Sequence, residues 1–255
     1  MSAPLKVWLE EDARVLRVQL HRPKANIVDA EMIAALDSAF DHHLGHNDLH
    51  AVILDAEGPN FSFGASVEEH LPKQCAKMLK GLHTMLFRML ESPVPILVAV
   101  KGQCLGGGLE LALAGNFIFA APNAHLGQPE IKIGVFAPAA SCLLPERMGR
   151  AAAEDMLFSG RTLSGQEAFE LGLVSGLDKD PLDAAFAYYE THLAPLSASS
   201  LRHAVKAARL GLIERLKPKF DAVEKIYLDE IMKTKDAVEG LEAFIEKRTA
   251  KWENK

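Results

Sequence analysis

Two apolar runs, PVPILVAV (93–100) and NFIFAA (116–121), enclose a glycine triplet and a short segment rich in leucine and alanine. Each run is short and uninterrupted, which predicts a buried strand. The triplet, residues 106–108, follows the first run and opens the segment LELALA, which we predict to be helical. A strand, a helix and a second strand in succession predict an α/β fold.

Patterns before the triplet extend this core. KVWLE and RVLRVQL flank an acidic turn and predict a hairpin. Asp29 precedes apolar residues at helical spacing, so we expect it to cap a helix. AVILDA (51–56) predicts another buried strand, and a helix is expected over about 73–91.

After about residue 150 the strand patterns largely stop and helical patterns dominate. Capping boxes of the S-x-x-E type are expected at Ser164 with Glu167 and, less regularly, at Asp236 with Glu239. Helices are expected near 181–193, 199–212, 216–233 and 236–249.

Composition excludes several classes of protein. The net charge is −6 and the basic residues are scattered, which argues against a nucleic-acid surface. The three cysteines form no C-x-x-C pair, and an odd count without a secretory signal indicates a reducing compartment. No run is long enough to cross a bilayer, and the N-terminus turns charged too early for a signal peptide. We therefore expect a cytoplasmic protein with no membrane partner.

The triplet itself suggests chemistry. Glycine allows a sharp turn and the close approach of a ligand, and the first N–H groups of a helix are unpaired and lie at its positive end. Such donors suit a developing oxyanion. A tight turn between a strand and a helix that pack closely is the alternative. Glu110 lies in the first turn of this apolar helix, where burial makes an acid a candidate for proton transfer.

Two further features extend this hypothesis. Glu130, in HLGQPEIKIG, is separated from Glu110 by one predicted strand, so the chain can return to the same end of the core. Two carboxylates facing one site can hold a water molecule, one accepting and the other giving a proton. The N–H of Ala65, in the loop NFSFGASVEEH, is a candidate second donor.

The segments RPKAN, FSFGASVEE, VKGQCLGGGLELALAGNFIFAAPNAHLGQPEIKIG and EGLEAFIEKR together resemble the crotonase (enoyl-CoA hydratase/isomerase) superfamily. The resemblance implies an α/β, crotonase-like spiral of ββα repeats over 1–195 and a C-terminal helical region over 196–255. It also implies a homotrimer or homohexamer that acts on an acyl-CoA thioester with no metal and no other cofactor.

The resemblance assigns roles by position. Ala65 and Gly107 match the oxyanion-hole donors, and Glu110 and Glu130 match the two catalytic acids of the hydratases, which favours water addition or elimination. Residues matching the CoA- and substrate-binding positions are Lys24, Ala25, Ala65, Ser66, Val67, Glu68, Gly106, Gly107, Phe244 and Lys247, the last two often supplied across a subunit boundary.

Departures from the family pattern narrow the range of acyl groups that we expect the site to accept. The chain has VFAPAAS (135–141) where many members have P-G-A-G-G, so we expect Phe63, Phe136 and Pro138 to line a flatter acyl site. These segments resemble most a subgroup that hydrates a cyclic conjugated dienoyl-CoA in anaerobic benzoyl-CoA breakdown.

Alternatives remain open at this stage. A hydratase or isomerase of fatty-acid-type acyl-CoA and a non-catalytic CoA-binding scaffold are the main ones. Cys104 and Ser141 are possible nucleophiles of a thioester hydrolase, although neither lies in a recognisable nucleophile motif. His42, His43 and His46 have a spacing that suits a metal, or a helix end.

Overall fold

The computed structural model describes residues 3–255, and two sheets form its centre. The larger sheet has six strands in the order β1-β2-β3-β4-β6-β9, in which β1 and β2 are antiparallel and all other neighbours are parallel. The smaller sheet has the order β5-β7-β8. The strands are β1 Leu5–Glu10, β2 Val15–Leu20, β3 Ala51–Ala56, β4 Ile96–Val100, β5 Gln103–Leu105, β6 Phe117–Ala120, β7 His125–Gly127, β8 Thr162–Ser164 and β9 Gly176–Leu177.

Nine α-helices surround these sheets in the described part of the chain. They are α1 Ala30–His43, α2 Cys75–Leu90, α3 Gly107–Ala114, α4 Pro138–Met148, α5 Arg150–Ser159, α6 Gly165–Glu170, α7 Pro181–Tyr188, α8 Ala198–Lys225 and α9 Lys235–Ile245. None of these helices is both long and apolar enough to cross a membrane.

The chain winds through the two sheets as repeated ββα units, which confirms the predicted fold. β4 lies in the larger sheet, β5 in the smaller one, and α3 follows; β6, β7 and α4 repeat this path. A third unit runs from β3 through an isolated parallel bridge between Ser62 and Cys104 to α2. The spiral therefore places the loops before α2, α3 and α4 side by side.

Local sequence signals explain where the elements begin. Asp29 caps α1 as predicted, because its carboxylate accepts a hydrogen bond from the N–H of Met32. The capping box at Ser164 and Glu167 is also present at the start of α6. All six residues of β3 are buried, as expected of a strand covered on both faces.

The second predicted capping box is wrong. Thr234 caps α9 instead, accepting from the N–H of Ala237 at 3.2 Å. Asp236 and Glu239 point to the C-terminal segment: Asp236 accepts from the N–H of Glu253 at 2.7 Å, and Glu239 binds Arg248. Both carboxylates therefore hold the end of the chain against α9 rather than the start of the helix.

The predicted break between helices 199–212 and 216–233 is also wrong. α8 runs without interruption from Ala198 to Lys225, with Pro218 inside it. Proline removes one backbone donor from a helix, but the neighbouring turn is fixed by burial of Phe220, which is 2% exposed. Tertiary packing thus overrides the local signal. A π-helical turn, Ile226–Glu230, then follows α8.

Candidate active site

The glycine triplet forms the junction between β5 and α3. Gly106 caps α3 with a φ of 49° and a ψ of −129°, a conformation that favours glycine. Its N–H donates to the carbonyl of Gly127 at the end of β7 at 2.9 Å. The next N–H, that of Gly107, is therefore presented at the positive end of α3.

The loop that contains Ala65 packs directly on this junction. A Cβ added at Gly107 would lie 2.9 Å from the Ala65 Cβ and 3.0 Å from the Ala65 nitrogen. A Cβ at Gly108 would lie 2.5 Å from the Ser62 Cβ. Only glycine permits this approach of two backbones. Within residues 3–255 neither the Ala65 N–H nor the Gly107 N–H donates a hydrogen bond, so both are free to bind a substrate oxygen.

Glu110 lies one turn further along α3 and is only 4% exposed. Its Oε1 accepts a hydrogen bond from the N–H of Ala140 at 2.8 Å, in the first turn of α4. Burial raises the pKa of Glu110 to about 7, although the hydrogen bonds from Ala140 and Ala139 oppose that rise. Such a carboxyl exchanges its proton near neutral pH.

Glu130 lies in a 3₁₀ turn, Pro129–Ile133, that follows β7. A Cβ at Gly106 would overlap its Oε1, so the carboxyl reaches the triplet. When the side-chain amide of Gln128 is oriented with its nitrogen towards Glu130, that nitrogen donates to Glu130 Oε1 at 3.2 Å and to Oε2 at 3.0 Å. Burial and, after it, the negative charge of Glu110 raise the pKa of Glu130 to about 8.

The two carboxyls therefore occupy one electrostatic environment beside two free N–H groups. Because the charge of Glu110 helps to raise the pKa of Glu130, ionisation of one carboxyl favours retention of the proton by the other. The pair holds about one proton near neutral pH. Such an arrangement can remove a proton from water with one carboxylate and deliver a proton with the other acid.

Most residues predicted to hold CoA lie beside the Ala65 loop. The Ala25 carbonyl accepts from the N–H of Phe63 at 2.9 Å, and the Lys24 carbonyl accepts from the Asn60 amide at 3.3 Å. Lys24 is exposed, and Phe63 is 47% exposed. In the next segment, 66–68, the Ser66 hydroxyl donates to Glu68 at 3.1 Å. These residues form one surface that leads to the oxyanion donors.

The remaining predicted residues are divided between two places. Pro138 is the buried first residue of α4, and Phe136 is partly buried against Tyr227, with ring centroids 5.4 Å apart. Phe244 is 56% exposed and Lys247 is exposed, both at the C-terminal end of α9. Within residues 3–255 the Lys247 side chain makes no hydrogen bond or ion pair. Both side chains are therefore exposed at the end of α9, and their predicted contact with CoA stays a prediction.

Comparison with known families decides the class of protein. Residues 10–255 match the enoyl-CoA hydratase/isomerase family. This chain belongs to that family. The resemblance inferred from its motifs is therefore confirmed, and the chain is an enzyme of the enoyl-CoA hydratase type.

Individual relatives of this hydratase-family chain cover 95% or more of its length. It is 62% identical over 254 residues to the cyclohexa-1,5-dienecarbonyl-CoA hydratase of Thauera aromatica, covering 100% of this chain and 98% of the relative. It is 32% identical to a probable enoyl-CoA hydratase of Bacillus subtilis (strain 168), with 95% and 96% covered. The solved enoyl-CoA hydratase/isomerase of Pseudoalteromonas atlantica T6c superposes with a TM-score of 0.85 at 28% identity, over 98% and 99% of the two chains.

The hydratase-family site also contains residues that sequence reasoning missed. Gln128 is 1% exposed and lies in the motif GQPE, where a buried amide beside an acid was a usable signal. The availability of the Ala140 N–H as a donor was also predictable in principle. Proline is common at the first position of a helix, so Pro138 indicates a helix start whose first N–H groups are unpaired. Tyr227 gave no signal, because only the folded chain brings α8 and its π-helical turn to the site.

Three histidines considered for metal binding lie together at the end of α1. The ring centroids of His42 and His43 are 4.7 Å apart, and those of His43 and His46 are 5.9 Å apart. Burial, followed by the charges of the other two rings, lowers the pKa of His43. In the described part of the chain, no group of three His, Cys, Asp or Glu side chains is arranged to hold a metal ion.

Proposed function

We propose that this chain adds water to a conjugated cyclic dienoyl-CoA thioester, converting cyclohexa-1,5-diene-1-carbonyl-CoA to 6-hydroxycyclohex-1-ene-1-carbonyl-CoA in anaerobic benzoyl-CoA breakdown. The observation that carries the proposal is the pair of carboxyls with raised pKa, the buried Glu110 and the partly buried Glu130, beside the free N–H groups of Ala65 and Gly107. The choice of a cyclic dienoyl group is supported by the 62% identity to a hydratase named for that substrate.

The proposed reaction begins with the thioester carbonyl between the N–H groups of Ala65 and Gly107. Glu110, ionised, accepts a proton from water, and the water oxygen bonds to the ring β carbon. The electrons of the attacked double bond move towards the thioester oxygen, giving a dienolate that the two N–H donors stabilise. One such donor is worth about 10²–10³ in rate where this has been measured.

The reaction ends with protonation by Glu130. Its proton goes to the far end of the second ring double bond, and the dienolate electrons re-form a double bond next to the thioester. The hydroxyl is then on the ring carbon beside the one that carries the thioester, as in the named product. Addition of water changes no oxidation state overall, so the proposed reaction requires no redox cofactor.

The proposed substrate orientation follows the exposed surface described above. Lys24, Ala25 and Phe63, with the segment 65–68, hold the CoA moiety at the mouth of the site, and Phe136 and Pro138 bound the acyl ring. We further propose a homotrimer or a pair of trimers, in which the exposed Phe244 and Lys247 contact CoA bound to a neighbouring subunit.

The contacts of the two candidate nucleophiles argue against a thioester hydrolase. Cys104 is fully buried, and burial raises the pKa of its thiol far above the ordinary range, so it remains protonated. The Ser141 hydroxyl donates to the carbonyl of Ala137 at 2.7 Å. We expect Cys104→Ala and Ser141→Ala to retain full activity, and a burst of free CoA from an acyl-enzyme would contradict this.

Product identification tests the proposal. The protein is incubated with cyclohexa-1,5-diene-1-carbonyl-CoA in the absence of oxygen. The CoA thioesters are then separated, and their masses are measured by mass spectrometry. We expect a product heavier than the substrate by one water, with no free CoA. Glu110→Gln and Glu130→Gln should lose this activity, whereas unchanged activity in both variants would show that these carboxyls are not the catalytic acids. A wild type that binds the thioester without converting it would support the CoA-binding scaffold instead.

A further inference from the structure

Tyr227 lies between the two segments that carry the catalytic groups. It is fully buried in the π-helical turn after α8, a type of irregularity that is frequent at functional sites. Its ring packs edge-on against Phe136, which follows the Glu130 turn, at 5.4 Å. On the other side it meets His70, which follows the Ala65 loop, at 6.4 Å. The tyrosine therefore bridges the oxyanion side and the acid side of the site.

The Tyr227 hydroxyl lacks a hydrogen-bond partner in the part of the chain that the structure describes. It is enclosed, and within residues 3–255 no group forms a hydrogen bond with it. The nearby His70 uses its Nδ1 to donate to the Ser66 carbonyl at 2.7 Å, and among the described residues its Nε2 makes no hydrogen bond to the Tyr227 hydroxyl. A phenylalanine would fill the same apolar cluster without the penalty of an unsatisfied buried polar group. A buried polar group of this kind calls for a hydrogen-bond partner, which the described residues do not supply.

The surroundings of the hydroxyl show which partner fits. Burial raises its pKa most, and the charges of Cys75, Glu130 and Glu110 raise it further. Tyr227 is therefore a neutral O–H group near both catalytic carboxyls, able to donate and to accept a hydrogen bond but unsuited to act as a base. The thioester oxygen already has two donors, in Ala65 and Gly107. The oxygen that comes from water meets Glu110 in the proposed reaction, and it can still form a further hydrogen bond with a neutral O–H group near the two carboxyls.

We propose that the Tyr227 hydroxyl hydrogen-bonds the oxygen that water addition places on the acyl ring, and so determines specificity for the hydroxylated ring. This inference rests on the proposed function, because it takes the ring hydroxyl from that reaction. The hydroxyl is enclosed in the free chain, so the contact forms when the ring enters between Phe136 and the two carboxyls.

Equilibrium binding separates this role from a structural one. The dissociation constants of 6-hydroxycyclohex-1-ene-1-carbonyl-CoA and of cyclohex-1-ene-1-carbonyl-CoA, which lacks the hydroxyl, are measured by calorimetry for the wild type and for Tyr227→Phe. We expect the substitution to weaken binding of the hydroxylated ligand by about 5- to 150-fold, the range for one lost buried hydrogen bond. Binding of the ligand without the hydroxyl should not change.

A matched control is Tyr189→Phe. Tyr189 is also buried, 1% exposed, and lies in a π-helical turn, but it packs in a different cluster with residues such as Val15 and Ala51. We expect it to leave both dissociation constants unchanged. Tyr227→Phe should melt at the same temperature as the wild type or higher, because it removes an unsatisfied group.

The inference is overturned if Tyr227→Phe weakens both ligands equally, changes neither, or lowers the melting temperature by several degrees, which would show that the hydroxyl has a structural partner. Failure of the wild type to bind the hydroxylated ligand overturns it as well. Because binding needs no turnover, the two proposals can fail separately. If the wild type does not hydrate the cyclic dienoyl-CoA, but Tyr227→Phe still weakens binding of the hydroxylated ligand alone, only the proposed function is contradicted.

Discussion

Replacing Glu110 with glutamine should stabilise the protein, and the gain should grow with pH. In the wild type, the buried carboxyl must either keep its proton or ionise away from water. Glutamine has nearly the same shape and remains neutral at every pH. Its side-chain oxygen can accept the hydrogen bond that Ala140 now donates to Glu110 at 2.8 Å. The substitution therefore removes the ionisation and keeps the contact.

The magnitude follows from the raised pKa. The ordinary pKa of a glutamate, 4.5, is raised to about 7 in the folded chain. Below the unfolded value both states are protonated, so the full stability is present. As the pH rises through the window from 4.5 to about 7, the unfolded state ionises first and stability is lost. A shift of this size corresponds to about 3 kcal/mol between the two limits of the window.

Urea unfolding at pH 5, 7 and 9, followed by far-ultraviolet circular dichroism, measures the effect. We expect Glu110→Gln to unfold close to the wild type at pH 5 and to gain about 3 kcal/mol in the free energy of unfolding at pH 9. Relief of the repulsion with Glu130 acts in the same direction. A suitable control is Glu154→Gln, on α5, because that side chain is 48% exposed and pairs with the exposed Arg150.

The reasoning would be refuted by a stability difference that does not depend on pH, or by a variant that is less stable than the wild type at pH 9. Either result would mean that Glu110 ionises without penalty in the folded chain. The control should change by a few tenths of a kcal/mol at most, and by the same amount at each pH.

Three further predictions concern the rate, the oxyanion site and a helix cap. kcat/KM should be greatest between about pH 7 and 8, where Glu110 is ionised and Glu130 protonated, and a flat profile from pH 6 to 9 would contradict the pairing. Gly107→Ala places a Cβ 3.0 Å from the Ala65 nitrogen, so kcat should fall by about 10²-fold or more, whereas Gly45→Ala, with open space around it, should keep the wild-type rate. Ser164→Ala should lower the free energy of unfolding by about 1 kcal/mol without changing kcat, and an unchanged urea midpoint would show that the capping box contributes nothing.

Local patterns were enough to predict the elements whose cause is local. Asp29 and Ser164 cap the helices expected of them, and the apolar runs are buried strands, because capping and burial depend on neighbours in sequence. Pro218 shows the limit of such signals, because α8 continues past this proline as a result of its tertiary packing. Asp236 shows another, because its partner is a distant N–H of the C-terminal segment.

The residues of the candidate site also fall into two groups, those that local sequence predicts and those that only the fold brings together. The glycine triplet and Glu110 are adjacent in sequence, so their association with a helix N-terminus was predictable. The meeting of Glu110 with Glu130 depends on the return of the chain through β6 and β7, and only the fold shows it. Sequence reasoning had no means to place Tyr227, because no spacing rule relates the end of α8 to the two acids.

The most direct test of the account is a comparison of kcat/KM for cyclohexa-1,5-diene-1-carbonyl-CoA and for crotonyl-CoA, measured without oxygen on the same preparation. The account predicts faster turnover of the cyclic dienoyl-CoA, because the site joins an acid pair suited to water addition with the segment VFAPAAS in place of the usual glycines. Both activities should disappear together in Glu130→Gln. Faster turnover of crotonyl-CoA would contradict the account and would identify a hydratase of straight-chain acyl-CoA.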